Sequence, residues 1–287
     1  MAAFNIKQVA QGIYVHQGLI ELPNAHNHDE IANIGFIVGK RCIAVIDSGG
    51  NPRQGLLLKK AIHKVSSLPI CYVINTHVHP DHIFGNSAFK GIPNINFVGH
   101  KKLSRAMATR APFYLARSKE QIGIKLTKHD VIPPNMTVKD TLDIDLGERI
   151  LTLNAYPTAH TDNDISVFDK QTNTMWLSDL LFVEHLPVLD GSLNGWLKVL
   201  GELEKRSFDV VIPGHGSVDR DWPESLQAQK KYLQTIVNGV RSEIKLGHFL
   251  EDVLTTLDYK DKAQWQLFND FHKKNLSSAF SELEWED

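Results

Sequence analysis

The stretch Thr76-His77-Val78-His79-Pro80-Asp81-His82 constrains this chain more than any other. It directly follows an apolar, β-branched run at 71–75 that reads as a strand. Strand geometry turns residues i and i+2 to one face, so His77 and His79 project together. Pro80 then stops the strand, and a turn into a helix beginning near Ile83 brings round Asp81 and His82. Imidazoles and a carboxylate packed this densely suit a borderline metal such as zinc. The bend between the two pairs argues against one cation taking all four groups. Two cations side by side would each need further donors from elsewhere. A polar loop with incidental histidines is the ordinary reading of a lone His, and this density disfavours it.

Strand ends further along the chain offer those donors. His160 follows the run Ile150–Ala155, within Pro157-Thr158-Ala159-His160-Thr161-Asp162. Asp179 follows an apolar run at 174–177, where a carboxylate has no other evident partner. His215 follows Val210-Val211-Ile212-Pro213, with Gly214 and Gly216 leaving room on both sides. Each also has an ordinary reading: a turn histidine, a helix cap before Leu180, a loop histidine. All three stand at the carboxyl ends of predicted strands, where open α/β sheets gather their sites.

The wider pattern is that of a layered α/β protein. Runs at Ile13–His16, Ile34–Val38, 42–47, 71–75, 95–99, Ile150–Ala155, 165–168, 174–177 and 210–213 read as strands, several apolar throughout and so buried on both faces. Residues 52–66, 100–118, 193–206 and 223–246 read as helices. Two strand–helix groups, separated near 119–147, predict sheets with helices outside. From 224 to 287 the chain is helical and amphipathic, cut near Gly247 and at 258–262 into three helices. We therefore expect a catalytic domain over 1–222 and a C-terminal helical extension over 223–287.

These residues resemble the metallo-β-lactamase-fold hydrolases. The 76–82 stretch matches the H-x-H-x-D-H signature of that family without a gap, and Asp47 in Val45-Ile46-Asp47-Ser48-Gly49 matches its upstream aspartate. The resemblance implies a four-layer αββα sandwich with a dinuclear site in a groove at one edge of the two sheets. It implies that His77, His79 and His160 hold one metal, that Asp81, His82 and His215 hold the other, and that Asp179 bridges them. Two Zn²⁺ per chain are expected, although such donors also accept Fe, Mn or Co. An aspartate at the bridging position resembles the thioesterase (glyoxalase II) and lactonase branches, whereas true β-lactamases carry cysteine or serine there. Ala159 departs from the glycine many members have before the third-motif histidine, which affects loop shape rather than ligation. More finely, Asn33-Ile34-Gly35-Phe36, Val188-Leu189-Asp190-Gly191-Ser192 and Glu282-Leu283-Glu284-Trp285-Glu286 look like the quinoprotein relay system zinc metallohydrolases, many of which are exported.

Seven groups over two cations, one of them shared, leave a coordination position open, as catalysis requires. A bridging hydroxide is then expected to attack the carbonyl of a small thioester, lactone or related acyl substrate. Asp81 and Asp179 carry the catalytic roles, Asp81 also by accepting a hydrogen bond from the nucleophile. Asp47 is expected to bond a ligand imidazole or the Thr76 turn, and His185 to line the groove. The competing functions are a β-lactam hydrolase, a mononuclear iron persulfide dioxygenase and a non-catalytic metal-binding protein. Retention of His82 and His215 disfavours the iron reading.

His26 and His28 belong to a polar hairpin or flap before Ile34. His16, His63, His100, His129, His248 and His272 read as structural or surface residues. Lys198, Lys230, Lys231 and Arg241 either meet an anionic substrate or are merely solvated. With 31 basic and 33 acidic residues the net charge is −2, which leaves no electrostatic footprint for nucleic acid. No apolar run is long enough to span a membrane. The two cysteines, Cys42 and Cys71, lie in apolar runs and read as core. Residues 1–15 lack a basic leader and apolar block, so the expectation is a cytoplasmic protein, or a periplasmic one if a leader was trimmed. The oligomeric state is left open.

Overall fold

The structure, a computed structural model, describes residues 4–286. Residues 1–3, where the leader reading begins, and residue 287, the last of the extension, lie outside the described residues. One sheet holds β1 (Lys7–Ala10), β2 (Ile13–His16), β3 (Ile34–Val38), β4 (Ile43–Ile46), β5 (Ile70–Ile74), β6 (Asn96–His100) and β7 (Met136–Val138), in that spatial order. The other holds β8 (Thr141–Asp145), β9 (Ile150–Ala155), β10 (Ile165–Asp169), β11 (Thr174–Phe182) and β12 (Val210–His215), again in sequence order across the sheet. The helices are α1 (Pro52–Val65), α2 (Pro80–Ile83), α3 (Leu103–Ile122), α4 (Leu193–Leu203), α5 (Glu224–Lys245), α6 (Leu250–Thr256) and α7 (Phe268–Leu283).

Apolar strands with two buried faces produce the layers. On β4, Ala44 and Ile46 point between the sheets, among Leu153, Trp176 and Ile212, while Ile43 and Val45 point outward to Leu58 and Ile62 of α1. On β11 the period repeats in reverse. Trp176 fills the space between sheets, and Met175 and Leu177 face Trp196 and Leu200 of α4. The result is the αββα sandwich. Asn51 starts α1 by accepting hydrogen bonds from the Arg53 and Gln54 amides, with Pro52 at the first helical position. Ser192 does the same for α4 through the Gly195 amide.

All nine expected strands form. Three more, β1, β7 and β8, were not expected; each lies at a sheet edge, and β7 and β8 occupy what reads in sequence as a gap at 119–147. Three local expectations are corrected. β5 ends at Ile74, so His77 and His79 lie beyond the strand rather than along it. The helix expected near Ile83 is α2, which already contains Asp81 and His82 and passes into a 3₁₀ turn at Phe84–Ala88. Asp179 does not follow a finished strand, because β11 continues to Phe182 past a kink at Ser178, whose φ is +50°. The register against β12 shifts at that kink.

The C-terminal helices break where the sequence suggests, and they share an apolar core with β11 and α4. Tyr232, Leu233 and Leu276 pack in the same cluster as Leu177, Leu180 and Trp196. Cys42 is buried and Cys71 half-buried. Among the described residues no helix is long and apolar enough to cross a membrane.

Candidate metal centre

The loop after β5, helix α2, the turn after β9, the kink of β11 and the end of β12 meet at one edge of the sandwich. They gather two donor groups. His77, His79, His160 and Asp179 form one, and Asp81, His82 and His215 the other, with the donor atoms of each group all within 4.8 Å of one another. Asp179 touches both: its Oδ2 lies 3.2 Å from His160 Nε2 and 3.5 Å from His215 Nε2, and its Oδ1 lies 3.2 Å from His82 Nε2. Asp81 Oδ2 stands 3.3 Å from His215 Nε2 and 3.5 Å from His82 Nε2. All seven residues singled out in the sequence therefore come together.

The nitrogens that point away from the centre decide what the inner ones present. His160 Nδ1 meets the Val188 carbonyl at 2.8 Å, and His215 Nδ1 meets the Ile31 carbonyl at 3.0 Å. His82 Nδ1 lies 2.8 Å from Asp47 Oδ2, and His79 Nε2 lies 2.7 Å from Asp190 Oδ2. A carbonyl or carboxylate only accepts, so each outer nitrogen carries the proton and, in the neutral ring, each inner nitrogen a lone pair. His77 Nδ1 contacts Thr76 Oγ1 at 3.0 Å, and that hydroxyl, 2.8 Å from Asp47 Oδ2, is free to accept once its own proton goes to the carboxylate. Inside, His77 Nε2 and His160 Nε2 each stand 3.0 Å from His79 Nδ1. With the outer nitrogens protonated, neutral rings have no proton left to bridge these contacts. Lone pairs crowded this closely repel unless a cation sits among them.

Among the protein's own groups, burial lowers His77 and His79, so both are neutral imidazoles, the ligating form. Asp81, Asp179 and Asp47 instead raise His82 well above the usual histidine value, and Asp179 raises His160, each against its burial. A cation among these carboxylates would take the place of those protons. Burial opposes ionisation of Asp179, yet His215, His82 and His77 hold its carboxyl well below the ordinary carboxylate range. Asp81 is likewise brought down to about 2 against its burial, by His82 and His215. His82 Nε2 and Asp179 Oδ1, 3.2 Å apart, are buried without a well-formed hydrogen bond, an arrangement that an ion or ordered water at the centre would satisfy. The donor set therefore fits divalent metal.

The surrounding shell contains expected and unexpected residues. Asp47 does both things expected of it, gripping His82 Nδ1 and also accepting from the Thr76 amide at 2.9 Å. It sits fully buried at φ +53°, in a backbone conformation that suits aspartate better than most residues. His185 lines the cavity above the centre; burial pushes its imidazole down to about 3, and its ring stands 5.0 Å from that of His215. It belongs to neither donor group. Of the flap, Glu21, Leu22, Asp29 and Ile31 face the cavity, whereas His26 and His28 face a separate hollow behind it. Asp190 and Arg110, which pair with each other behind His79, escaped sequence reasoning. Asp29 escaped it too, a carboxyl raised well above its usual range by burial and by Asp81. Asp190 meets His79 and Arg110 across 111 and 80 residues of chain, and Asp29 and Asp81 are likewise far apart in sequence. Nothing local marks these roles, although Asp190 falls within a segment of the finer resemblance. Lys230, Lys231 and Arg241 are turned to Glu204, Asp261 and Glu286 and do not line the cavity.

Fold and site together define a class: a two-sheet αββα sandwich with a His- and Asp-lined metal-binding edge. The family described as the metallo-beta-lactamase superfamily matches residues 29–215, and the chain belongs to it. Similar solved structures include a metallo-beta-lactamase from Pontibacter korlensis, 16% identical, with a TM-score of 0.61 over 80% of this chain and 98% of that one. A metallo-beta-lactamase from Hirschia baltica is likewise 16% identical, with a TM-score of 0.61 over 80% of this chain and 96% of that one. At such identity the likeness shows the fold. No curated protein matches the sequence.

Proposed function

We propose that this protein is a metal-dependent hydrolase that holds two zinc ions and cleaves a small thioester, lactone or related acyl compound. His77, His79 and His160 would hold one ion, Asp81, His82 and His215 the other, with Asp179 shared. Such a pair, when bound, supplies water acidic enough to ionise near neutral pH and a Lewis acid for a carbonyl oxygen. The chain's own residues do the rest. Asp81 offers a carboxylate oxygen to the proton of the attacking water and so aims it. Asp47, Asp190, Val188 and Ile31 keep each imidazole in one tautomer and orientation. Apolar walls contributed by Phe84, Phe182 and Phe271 thin the water around the reacting carbonyl. The match to the family ends at the end of β12, which supports a catalytic unit over 1–222 followed by a helical extension.

One observation carries the reading: five imidazoles whose outer nitrogens are all engaged present their inner nitrogens to two carboxylates at a cavity floor. Elemental analysis of the purified protein tests it, beside a panel of chromogenic thioesters, lactones and a cephalosporin. About two zinc ions per chain and turnover of a thioester or lactone are expected. Asp179→Ala should reduce the metal to one or none and abolish turnover. Unchanged stoichiometry in that variant would remove Asp179 from the site, and bound metal without turnover of any carbonyl substrate would favour a binding role.

A further inference from the structure

The cavity over the donor groups encloses about 290 Å³ and is open on one side. Its floor is the metal centre. One wall is α3, another the flap, and the third is α7 of the C-terminal extension, through Phe271 and Lys274. Rings lead outward along that third wall. The His185 ring lies 5.0 Å from His215 and 5.4 Å from Phe271, and the Lys274 ammonium lies 4.9 Å from the Phe271 ring. A line of aromatic faces thus runs from the second donor group to a cation at the mouth.

Lys274 is held by an aromatic face and, among the described residues, has no carboxylate within ion-pair distance. Lys230, Lys231, Arg241 and Lys262 of the extension each have one. The exposed Lys245, Lys260 and Lys273 show none among the described residues either, but of these unpaired lysines only Lys274 lines the cavity. A cation–π contact fixes a charge in place without neutralising it. On the flap side, Glu21 accepts a hydrogen bond from Asn27 Nδ2 at 3.0 Å. Helix α7 is also locked in register with the centre. Asn275, next to Lys274, donates to the Pro187 carbonyl at 2.7 Å and accepts from the Leu189 amide at 2.9 Å. That same loop carries the Val188 carbonyl and the Asp190 carboxylate that orient His160 and His79. Between floor and mouth the walls are mainly apolar, with Glu21, Asp29, Ser118 and Gln121 among them, and two of the apolar side chains, Phe113 and Leu22, are 59% and 38% exposed.

We infer that α7 makes the cavity selective for acyl compounds with an apolar body and a terminal anion, the anion being received by Lys274. The acyl part of this inference rests on the hydrolytic reading above; the anion part rests on the arrangement of α7. Such a substrate places its carbonyl at the floor, its body along His185 and Phe271, and its carboxylate or sulfonate at the ammonium.

Matched p-nitrophenyl esters of suberic and octanoic acid, which differ in one terminal carboxylate, read the preference directly. Wild type should favour the suberate half-ester in kcat/KM, chiefly through KM. Lys274→Ala should reduce that preference about tenfold, Lys274→Arg should largely restore it, and Lys274→Glu should reverse it. The preference should also shrink as ionic strength rises. Octanesulfonate, a weak metal ligand, provides a readout without turnover: calorimetric titration into the metal-loaded protein should show binding weakened about tenfold in Lys274→Ala. Equal ester preference and equal sulfonate affinity in wild type and Lys274→Ala would overturn the inference, as would failure of octanesulfonate to bind wild type. If no ester turns over but sulfonate binding depends on Lys274, the hydrolytic reading fails and anion recognition stands.

Discussion

Single imidazoles here are set by what stands behind them. His79 is held by Asp190, and Asp190 in turn by Arg110, so the carboxylate fixes both the tautomer and the aim of Nδ1. Asp190→Ala should weaken metal retention about 10- to 100-fold, read by competition with a chromogenic chelator; retention equal to wild type would show that packing alone aims the ring. Asp164 accepts from the Thr161 amide and hydroxyl and so shapes the turn that carries His160. Burial raises its carboxyl from 3.8 to about 6. Between those values the folded protein keeps a proton that the unfolded chain has lost. Its stabilising contribution is therefore complete below about pH 4 and lost as pH rises through 6. The difference is on the order of 3 kcal/mol. Urea unfolding of chelated protein from pH 4 to 7 should show this decline, and Asp164→Asn should flatten it.

Two elements approach each other more closely than ordinary side chains allow. At Gly214 on β12 an added Cβ would lie 1.8 Å from Asp179 Oδ1 and 2.7 Å from the Asp179 amide on β11. The kink at Ser178 pushes Asp179 toward β12, and only a residue without a side chain leaves it room. Gly214→Ala should cost about 1–3 kcal/mol in unfolding free energy and displace Asp179, so that purified protein carries less metal than wild type. A variant with full metal content would mean that β11 yields elsewhere. The loop between β5 and α2 shows the opposite economy. With the strand already ended at Ile74, Asp47 replaces the missing ladder by taking the Thr76 amide and hydroxyl.

At the scale of the whole molecule, the extension completes a core and the site with it. Tyr232, Leu233 and Leu276 pack with Trp196 and Leu180 outside the second sheet. Glu282 of α7 accepts from Ser192 Oγ at 2.8 Å and from the Asn194 amide at 3.2 Å, where a carboxylate meets the N-terminus of α4. A chain ending at 222 would expose that apolar surface and release the loop held by Asn275. We expect it to aggregate on gel filtration. Leu276→Ala in the full chain should lose about 2–5 kcal/mol by denaturant titration; a stable, monomeric, metal-loaded 1–222 fragment would show that the extension is dispensable.

Much of this could be read along the chain because it is local. Apolar strands such as β4 and β11 announce themselves, and His77, His79, Asp81 and His82 lie in one short loop and helix. Strands β1, β7 and β8 did not, because edge strands are short and part-exposed, and their polar faces erase the alternation that marks a strand. The sequence alone determined the kinds of donor, their order and the alternation of layers. Only the folded chain decided which lone pairs converge, where Asp190 and Arg110 stand, and that α7 closes the third wall, since such contacts depend on packing between segments that share no local pattern.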